Sequence, residues 1–214
     1  MNQKSEQTAK EIASMLLKIK AIRLNVEKPF QWSSGWKSPI YCDNRLSLSF
    51  PEVRNYIKHA LADAIKEQFI GVEAIAGVAT AGIPQGALVA DVLGLPFIYV
   101  RSKPKGHGME NMIEGLVTPG HKVVVLEDLV STGGSSLKAV EALRAAEFEV
   151  LGMAAIFTYG FDLAQENFAA AKVPFICLSN YEIMLKEALK ESYINEAQVA
   201  TLTAWRKDPA TWGN

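Results

Sequence analysis

Residues 122–136 read KVVVLEDLVSTGGSS, in which an apolar run meets two adjacent carboxylates, Glu127 and Asp128. Small hydroxyl and glycine residues follow within three positions. Continuous apolar runs are typical of strands that are buried on both faces of a parallel sheet. We therefore predict a strand over 122–126 with both acids at its carboxyl end, which is the edge where such sheets bind ligands.

Further apolar runs along the chain predict the other strands of the same sheet, at 74–79, 96–101, 150–159 and 173–178. Segments 84–93 and 136–146 between these runs place apolar residues at helical spacing. Residues 49–52 (SFPE) resemble a capping box ahead of a helix that extends to about Gln68. Alternating strands and helices predict the α/β class, with a parallel central sheet and flanking helices on both faces.

Length and composition indicate one globular domain over residues 1–214 and argue against several kinds of partner. The net charge of −1 and the pI of about 6.3 argue against bulk nucleic-acid binding. The polar N-terminus lacks a signal peptide, and no apolar run reaches the ~18 residues of a membrane span. The two cysteines, Cys42 and Cys177, have no metal-binding spacing and fit a cytoplasmic protein.

The segment after the acids has the composition of a phosphate-binding loop. Thr132, Gly133, Gly134 and Ser135 stand where a helix is expected to begin, and the free N–H groups of that turn attract anions. Carboxylates beside such a loop accept hydrogen bonds from vicinal hydroxyls, so a ribose 5-phosphate would fit both features. Taken alone, the loop is explained equally well as a helix cap. The patterns of a Walker A loop and of a dinucleotide-binding glycine motif are both absent.

This stretch resembles the phosphoribosyl-pyrophosphate motif of the type I phosphoribosyltransferases. The resemblance implies that the acids hold the ribose 2- and 3-hydroxyls and that the loop holds the 5-phosphate. It also implies Asp128 as a catalytic residue. The implied residues for phosphoribosyl pyrophosphate in this stretch are Glu127, Asp128, Leu129, Val130, Ser131, Thr132, Gly133, Gly134 and Ser135.

Residues 30–45, FQWSSGWKSPIYCDNR, resemble the N-terminal segment of the orotate phosphoribosyltransferases. That resemblance implies that residues 1–45 contribute a hood over the base site and that Ser131 contacts orotate. It implies transfer of ribose 5-phosphate to N1 of orotate, giving orotidine 5′-phosphate and pyrophosphate in pyrimidine biosynthesis, with Mg²⁺ as cofactor. It further implies a homodimer whose active sites are shared between subunits.

The long segment 102–121 is expected to be a catalytic lid, because aperiodic loops of this length are often functional. By resemblance, Arg101, Lys105 and His107 are catalytic residues that clamp pyrophosphate, and Lys103 is a weaker candidate. Cations there would oppose the negative charge that grows on the leaving group. The alternative for the lysines is a solvated surface loop. Residues 77–82, GVATAG, are similar to the turn that binds pyrophosphate in the same family, and the alternative is a simple β-turn into the next helix.

Four positions depart from patterns found in some orotate enzymes. Ala81 and Ser102 replace basic residues of the turn and the lid, and Ser33 replaces a lysine of the hood. Residues 158–161, TYGF, stand where an Asp-Arg pair would follow the strand. The losses at Ser33 and 158–161 remove cations expected near the orotate carboxylate. Base recognition is then expected from Ser131, Lys37 and backbone donors of 39–43.

Two other functions remain open from the sequence. One is a phosphoribosyltransferase for another base, such as a purine, against which segment 30–45 argues. The other is a regulator of transcription that binds phosphoribosyl pyrophosphate without turning it over, against which the lid cations argue. His59 and His121 lie in no motif and are interpreted as surface or structural residues.

Overall fold

The structure is a computed structural model that describes residues 3–32, 35–103 and 112–212. Its N-terminal part joins two helices through short strands and one 3₁₀ helix. Strand β1 pairs with β4, and β2 pairs with β3, both antiparallel. In chain order these elements are α1 (Gln3–Lys18), β1 (Ile22–Leu24), β2 (Phe30–Gln31), β3 (Lys37–Ser38), β4 (Ile40–Cys42), the 3₁₀ helix (Asn44–Ser49) and α2 (Pro51–Gln68).

The rest of the described chain builds a six-stranded sheet in the order β10-β9-β8-β5-β6-β7. All neighbouring pairs are parallel except β6 and β7, which are antiparallel. Its elements are β5 (Ala74–Val78), α3 (Gly82–Leu93), β6 (Phe97–Val100), β7 (Ile113–Glu114), β8 (Lys122–Val130), α4 (Gly134–Ala145), β9 (Glu149–Thr158), α5 (Asp162–Ala170), β10 (Phe175–Asn180), α6 (Tyr181–Lys190) and α7 (Glu196–Lys207).

Two hydrophobic cores lie on opposite faces of the sheet, as expected for helices on both faces. The first core joins α1, α2, α3, α6 and α7 to one side of the sheet, where Val124 and Leu126 of β8 point. The second core joins α4 and α5 to the other side, where Val123 and Val125 point. From Val123 to Leu126 successive residues of β8 therefore alternate between the two cores, which is the period of an ordinary strand, whereas Leu129 packs on the first core and Val130 on the second.

The structure confirms the predicted fold class but corrects several element boundaries. Strand β8 ends at Val130 instead of 126, because its pairing with β9 continues to the register Val130↔Thr158. The capping box at 49–52 is wrong. Ser49 belongs to the 3₁₀ helix, and α2 is capped by Phe50 without a side-chain hydrogen bond. The expected loop 102–121 contains β7, and helices α1, α5, α6 and α7 are absent from the elements that the sequence patterns predict.

None of the helices in the described part of the chain combines the length and the apolar character that crossing a membrane requires.

Candidate active site

Glu127 and Asp128 lie where β8 loses one of its two neighbours. On one side, β8 pairs with β5 only as far as Leu126↔Gly77, whereas pairing with β9 continues beyond the acids. The N-terminus of α3 approaches the open side, and a Cβ placed on Gly82 would lie 2.5 Å from the Leu126 carbonyl oxygen. The acids therefore border a crevice at the carboxyl edge of the sheet, although they stand inside the strand rather than after it.

Glu127 points to the α4 side of the sheet and is only 6% exposed. The Ser136 hydroxyl donates a hydrogen bond to its Oε2 at 3.2 Å, and the Asp128 amide donates to its Oε1 at 3.1 Å. Burial, followed by the charge of Asp128, raises the pKa of Glu127 well above its ordinary value. This carboxyl group is thus desolvated and lacks a cationic partner within the described residues.

Asp128 is half-buried and directly follows Glu127 in the strand. Burial raises its pKa, while a hydrogen bond with Glu127 and the charge of Arg45 act in the lowering direction. The Asn44 side-chain amide donates to the Asp128 carbonyl oxygen at 2.7 Å. The 3₁₀ helix is thereby fastened to the strand at the acid pair.

The loop from Ser131 to Ser135 connects β8 to α4. Gly133 is the N-cap of α4 with φ +80°, and no side chain caps the helix. The carbonyl of Thr132 accepts a hydrogen bond from the Asn167 amide at 2.9 Å, which holds the loop against α5. The helix begins at Gly134 rather than near Ser136, so Gly134 and the exposed Ser135 lie in its first turn. The N–H groups of that turn have no partner within the helix and favour an anion.

The turn at residues 77–82 joins β5 to α3 beside the acids. Strand β5 ends at Val78, and the Ala79 amide donates to the Val100 carbonyl at 2.8 Å. The Ala79–Thr80 peptide bond is cis. Ala81 is the N-cap of α3 and makes no side-chain cap. This turn thus meets the same edge of the sheet as the acids and the loop.

Arg101 directly follows β6 at this edge and is held to the far end of the expected lid. Its amide donates to the Met112 carbonyl at 2.8 Å, and its Nη1 donates to Glu114 Oε1 at 3.1 Å. Ser102 and Lys103 are exposed. Lys105, His107 and Ser33 lie outside the described residues.

Aromatic side chains bring the N-terminal segment and the C-terminal helix together beside the end of β9. Trp32 and Trp205 are 5.5 Å apart between ring centroids, and Tyr159 lies 5.0 Å from Trp32. The Trp205 indole donates to the Lys37 carbonyl at 3.3 Å, and the Lys37 side chain is exposed. Segment 158–161 is therefore covered by the N-terminal segment and by the C-terminal helix of the chain.

The sequence reading missed two polar residues at this edge, Asn44 and Arg206. Arg206 of α7 donates from Nε to the Tyr159 carbonyl and from Nη2 to the Gly160 carbonyl. Both residues make their contacts with segments far along the chain, so no local motif could have revealed them. His59 is exposed on α2, and His121 precedes β8 at the opposite edge of the sheet from the acids.

Among the residues that the structure describes, the acid pair is not part of a larger metal-binding cluster. Within the described ranges, no group of three or more His, Cys, Asp or Glu side chains is placed to hold a metal ion. Any divalent ion at Glu127 and Asp128 would therefore take most of its ligands from water or from a bound phosphate compound.

Comparison with known proteins identifies the family. A family model for the phosphoribosyl transferase domain matches residues 48–192. The chain is 60% identical over 203 residues to an orotate phosphoribosyltransferase of Cytophaga hutchinsonii, covering 95% of this chain and 97% of that protein.

Two solved structures are also similar. A crystal structure of orotate phosphoribosyltransferase from Aeropyrum pernix has a TM-score of 0.74 at 29% identity, covering 86% of this chain and 99% of that one. A UMP synthase from Leishmania donovani has a TM-score of 0.78 at 26% identity; the match covers 92% of this chain but only 42% of that one. Because the family model spans more than half of the chain and a relative matches it at 60% identity over 95% of its length, the chain belongs to the orotate phosphoribosyltransferase family.

Proposed function

We propose that the protein transfers ribose 5-phosphate from phosphoribosyl pyrophosphate to N1 of orotate, giving orotidine 5′-phosphate and pyrophosphate for pyrimidine biosynthesis. The observation that carries the proposal is the shared crevice of the acid pair, the glycine loop and the 77–82 turn at one edge of the sheet. A diol, a 5-phosphate and a pyrophosphate are the three polar parts of this substrate, and each has a matching element.

Glu127 and Asp128 would accept hydrogen bonds from the ribose 2- and 3-hydroxyls. Their carboxyl groups lie close enough to share a hydrogen bond, so together they can accept from two neighbouring hydroxyls of one diol. Their raised pKa values show that each negative charge is poorly solvated, and such a charge is strengthened as an acceptor when a substrate excludes water. They would also stabilise positive charge that develops at the ribosyl carbon, with Asp128 as the catalytic member.

The 5-phosphate would lie against the loop, including Leu129, Val130 and Ser131 at its start and Thr132, Gly133, Gly134 and Ser135 at the N-terminus of α4. Gly134 is open, with no atom nearer than 4.0 Å to a built Cβ. An anion can therefore approach the backbone amides there without a side chain in the way.

The pyrophosphate would leave toward the lid with the bonding pair of the broken C1–O bond. Arg101, Lys105 and His107 would stabilise its growing negative charge, with Lys103 as a weaker contributor. Arg101 already stands at the edge of the crevice, and its ion pair with Glu114 joins the two described ends of the lid segment. Exchange of Glu114 for pyrophosphate oxygens would couple lid position to substrate.

Mg²⁺ is the proposed cofactor. Two adjacent carboxylates, without a further cluster of ligands, fit an ion that keeps most of its water and binds through phosphate oxygens. When bound, Mg²⁺ would neutralise charge on the pyrophosphate. Of the residues of this chain, Glu127 and Asp128 would be the ones that hold the ion.

The base would lie between Ser131 and the hood formed by residues 1–45. The hood would belong to the same single domain, 1–214, as the rest of the site. The backbone near 39–43 would supply donors to the base. We further propose a cytoplasmic homodimer in which the lid of one subunit reaches the neighbouring site, an arrangement supported by family resemblance alone.

Orotate absorbance after mixing protein, phosphoribosyl pyrophosphate and Mg²⁺ tests the function, with uracil, adenine and hypoxanthine assayed in parallel. The proposal expects loss of orotate and no comparable turnover of the other bases. Turnover of a purine instead would overturn the base assignment while keeping the ribose-phosphate site. Tight binding of phosphoribosyl pyrophosphate without turnover of any base would indicate a regulator.

A further inference from the structure

Arg206 is an arginine at the carboxyl edge of the sheet that the proposed reaction leaves without a role. It lies in the last turn of α7, and its guanidinium reaches the backbone just after β9. Nε donates to the Tyr159 carbonyl at 3.0 Å, and Nη2 donates to the Gly160 carbonyl at 2.5 Å. Two hydrogen bonds from one planar group fix its orientation.

Within the described residues no carboxylate forms an ion pair with Arg206, although Glu182 lies near enough to feel its charge and lines a second cavity with it. Two other arginines, Arg45 and Arg101, do have such partners. Arg45 binds both oxygens of Asp43, at 2.7 and 2.9 Å, and Arg101 pairs with Glu114. Arg206 binds only neutral carbonyls, and its Nη1 donates to no described residue. A half-buried cation with spare donors is prepared to bind an anion.

The surroundings of Arg206 connect it with the phosphate loop and with the hood. It lines a cavity of about 310 Å³ whose walls include Trp36, Thr132, Gly160 and Phe161. Asp162 and Lys207 also line this cavity, and the charges of these two side chains are opposite to each other. The guanidinium therefore stands beside the loop proposed to hold the 5-phosphate, under a residue of the N-terminal segment.

Gly160 leaves room for this guanidinium. A Cβ built on Gly160 would lie 3.1 Å from Arg206 Nη2, so the guanidinium fills the space that a side chain at 160 would enter. The adjacent Trp205 is fully buried and packs against Phe161 with ring centroids 5.7 Å apart. The Tyr181 hydroxyl also donates to the Leu202 carbonyl one turn earlier in α7. Arg206 is therefore held by a well-packed helix.

We propose that Arg206 binds the carboxylate of orotate and thereby determines specificity for an acidic pyrimidine. This inference rests on the proposed function, because a neutral base would have no use for the charge. Nη1 supplies the contact while Nε and Nη2 keep their carbonyl partners. The C-terminal helix thus provides a cation at an edge where residues 158–161 contain none.

The test compares binding of orotidine 5′-monophosphate and uridine 5′-monophosphate, which differ only in the carboxylate. Titration calorimetry would give both Kd values for the wild type, Arg206→Gln and Arg206→Lys. We expect Arg206→Gln to weaken the carboxylated nucleotide about 10- to 100-fold, the range for a lost charged hydrogen bond, and to leave the other nearly unchanged. Arg206→Lys keeps the charge without the planar fork and should give an intermediate preference.

Arg144→Gln is the matched control. Its guanidinium likewise donates to two backbone carbonyls, Ala171 at 2.9 Å and Lys172 at 3.3 Å, but at the end of α4 that lies away from the acids. This variant should keep the wild-type preference for the carboxylated nucleotide. Thermal unfolding of all variants separates a loss of packing from a loss of recognition.

The outcomes distinguish the two levels of the proposal. A wild type that binds both nucleotides equally would overturn the proposed orotate function itself. A wild type that prefers the carboxylated nucleotide, with that preference retained in Arg206→Gln, would overturn only the role of Arg206. Equal weakening of both nucleotides in Arg206→Gln and Arg206→Lys would also overturn it, because the arginine would then be purely structural.

Discussion

Asn44 and Asp128 are separated by 84 positions in the chain, yet the Asn44 side-chain amide donates a 2.7 Å hydrogen bond to the Asp128 carbonyl oxygen. Asn44 is 1% exposed, and its own carbonyl accepts from the Ser47 hydroxyl at 2.6 Å. Gln85 of α3 donates in turn to Ser47 at 3.1 Å. A buried chain of hydrogen bonds therefore links the helix after the 77–82 turn to the strand that carries the acids.

Asn44→Ala should remove a support of Asp128 and leave a buried carbonyl without a partner. We expect the free energy of unfolding to fall by about 1–3 kcal/mol and the KM for phosphoribosyl pyrophosphate to rise. Urea unfolding and steady-state kinetics would measure both. Asn25→Ala, at an exposed position whose amide oxygen binds only the nearby Lys28 amide, is the control. If both variants changed stability and KM equally, Asn44 would have no role in positioning Asp128.

Glu127→Gln should change how stability depends on pH. The folded state raises the pKa of Glu127 above its ordinary value of 4.5, so above that pH the folded chain holds a proton that the unfolded chain has lost. Stability of the wild type then falls as pH rises from 4.5 toward the raised pKa, and the glutamine variant lacks this loss.

The stability of Glu127→Gln relative to the wild type should therefore increase with pH across this window. Unfolding midpoints measured in urea from acidic to mildly alkaline pH would check the slope. Glu141→Gln, on the exposed side of α4, supplies the control with the same chemical change. Parallel pH curves for the wild type and Glu127→Gln would contradict the desolvated state of this carboxyl group.

Gly133→Ala should damage the loop at the start of α4. The residue has φ +80°, and a built Cβ would lie 2.8 Å from Phe168 Cε2. Left-handed backbone alone costs about 1–2 kcal/mol for a residue with a side chain, and the overlap with Phe168 adds to this. Calorimetric unfolding should show the loss, together with weaker binding of phosphoribosyl pyrophosphate.

Gly134→Ala makes the same chemical change at the next position, where the backbone is helical and the space is open. For stability it is the matched comparison, and it should be neutral or slightly favourable because alanine suits a helix better than glycine. If both variants lost stability equally, the special conformation of Gly133 would not be the cause.

Lys105→Ala tests the lid. The lid is an inference from the sequence, and Lys105 itself lies outside the described residues. We expect kcat to fall about 100-fold, the scale seen when a donor to a developing anion is removed, with the unfolding midpoint unchanged. Lys138→Ala, exposed on α4, controls for the loss of a surface lysine. Turnover near the wild-type level would contradict the catalytic role of Lys105 and favour the alternative that the lysines lie in a solvated surface loop.

The local part of the site could be predicted because strand, acids, loop and helix are contiguous in the chain. The 122–136 segment contains the apolar run, the carboxylates and the helix start within one short stretch. Even there, the end of β8 was misplaced, since the strand continues through pairing with β9 and not through its own composition.

The rest could not be predicted because it depends on contacts between distant segments. Asn44 reaches Asp128 from the N-terminal part, and Arg206 reaches Gly160 from the last helix. The sequence predicts Ser49 as a helix cap, but Ser49 is the last residue of the preceding 3₁₀ helix, and Phe50 is the N-cap of α2. Such competition between neighbouring elements is decided by packing, which the local pattern does not contain.

Simultaneous measurement of both products is the most direct test of the central claim. Purified protein would be mixed with orotate, phosphoribosyl pyrophosphate and Mg²⁺, and orotidine 5′-monophosphate and pyrophosphate would be quantified over time. The account predicts that the two products appear in equal amounts and only when orotate is present. Pyrophosphate released without the nucleotide, or no release at all, would contradict it.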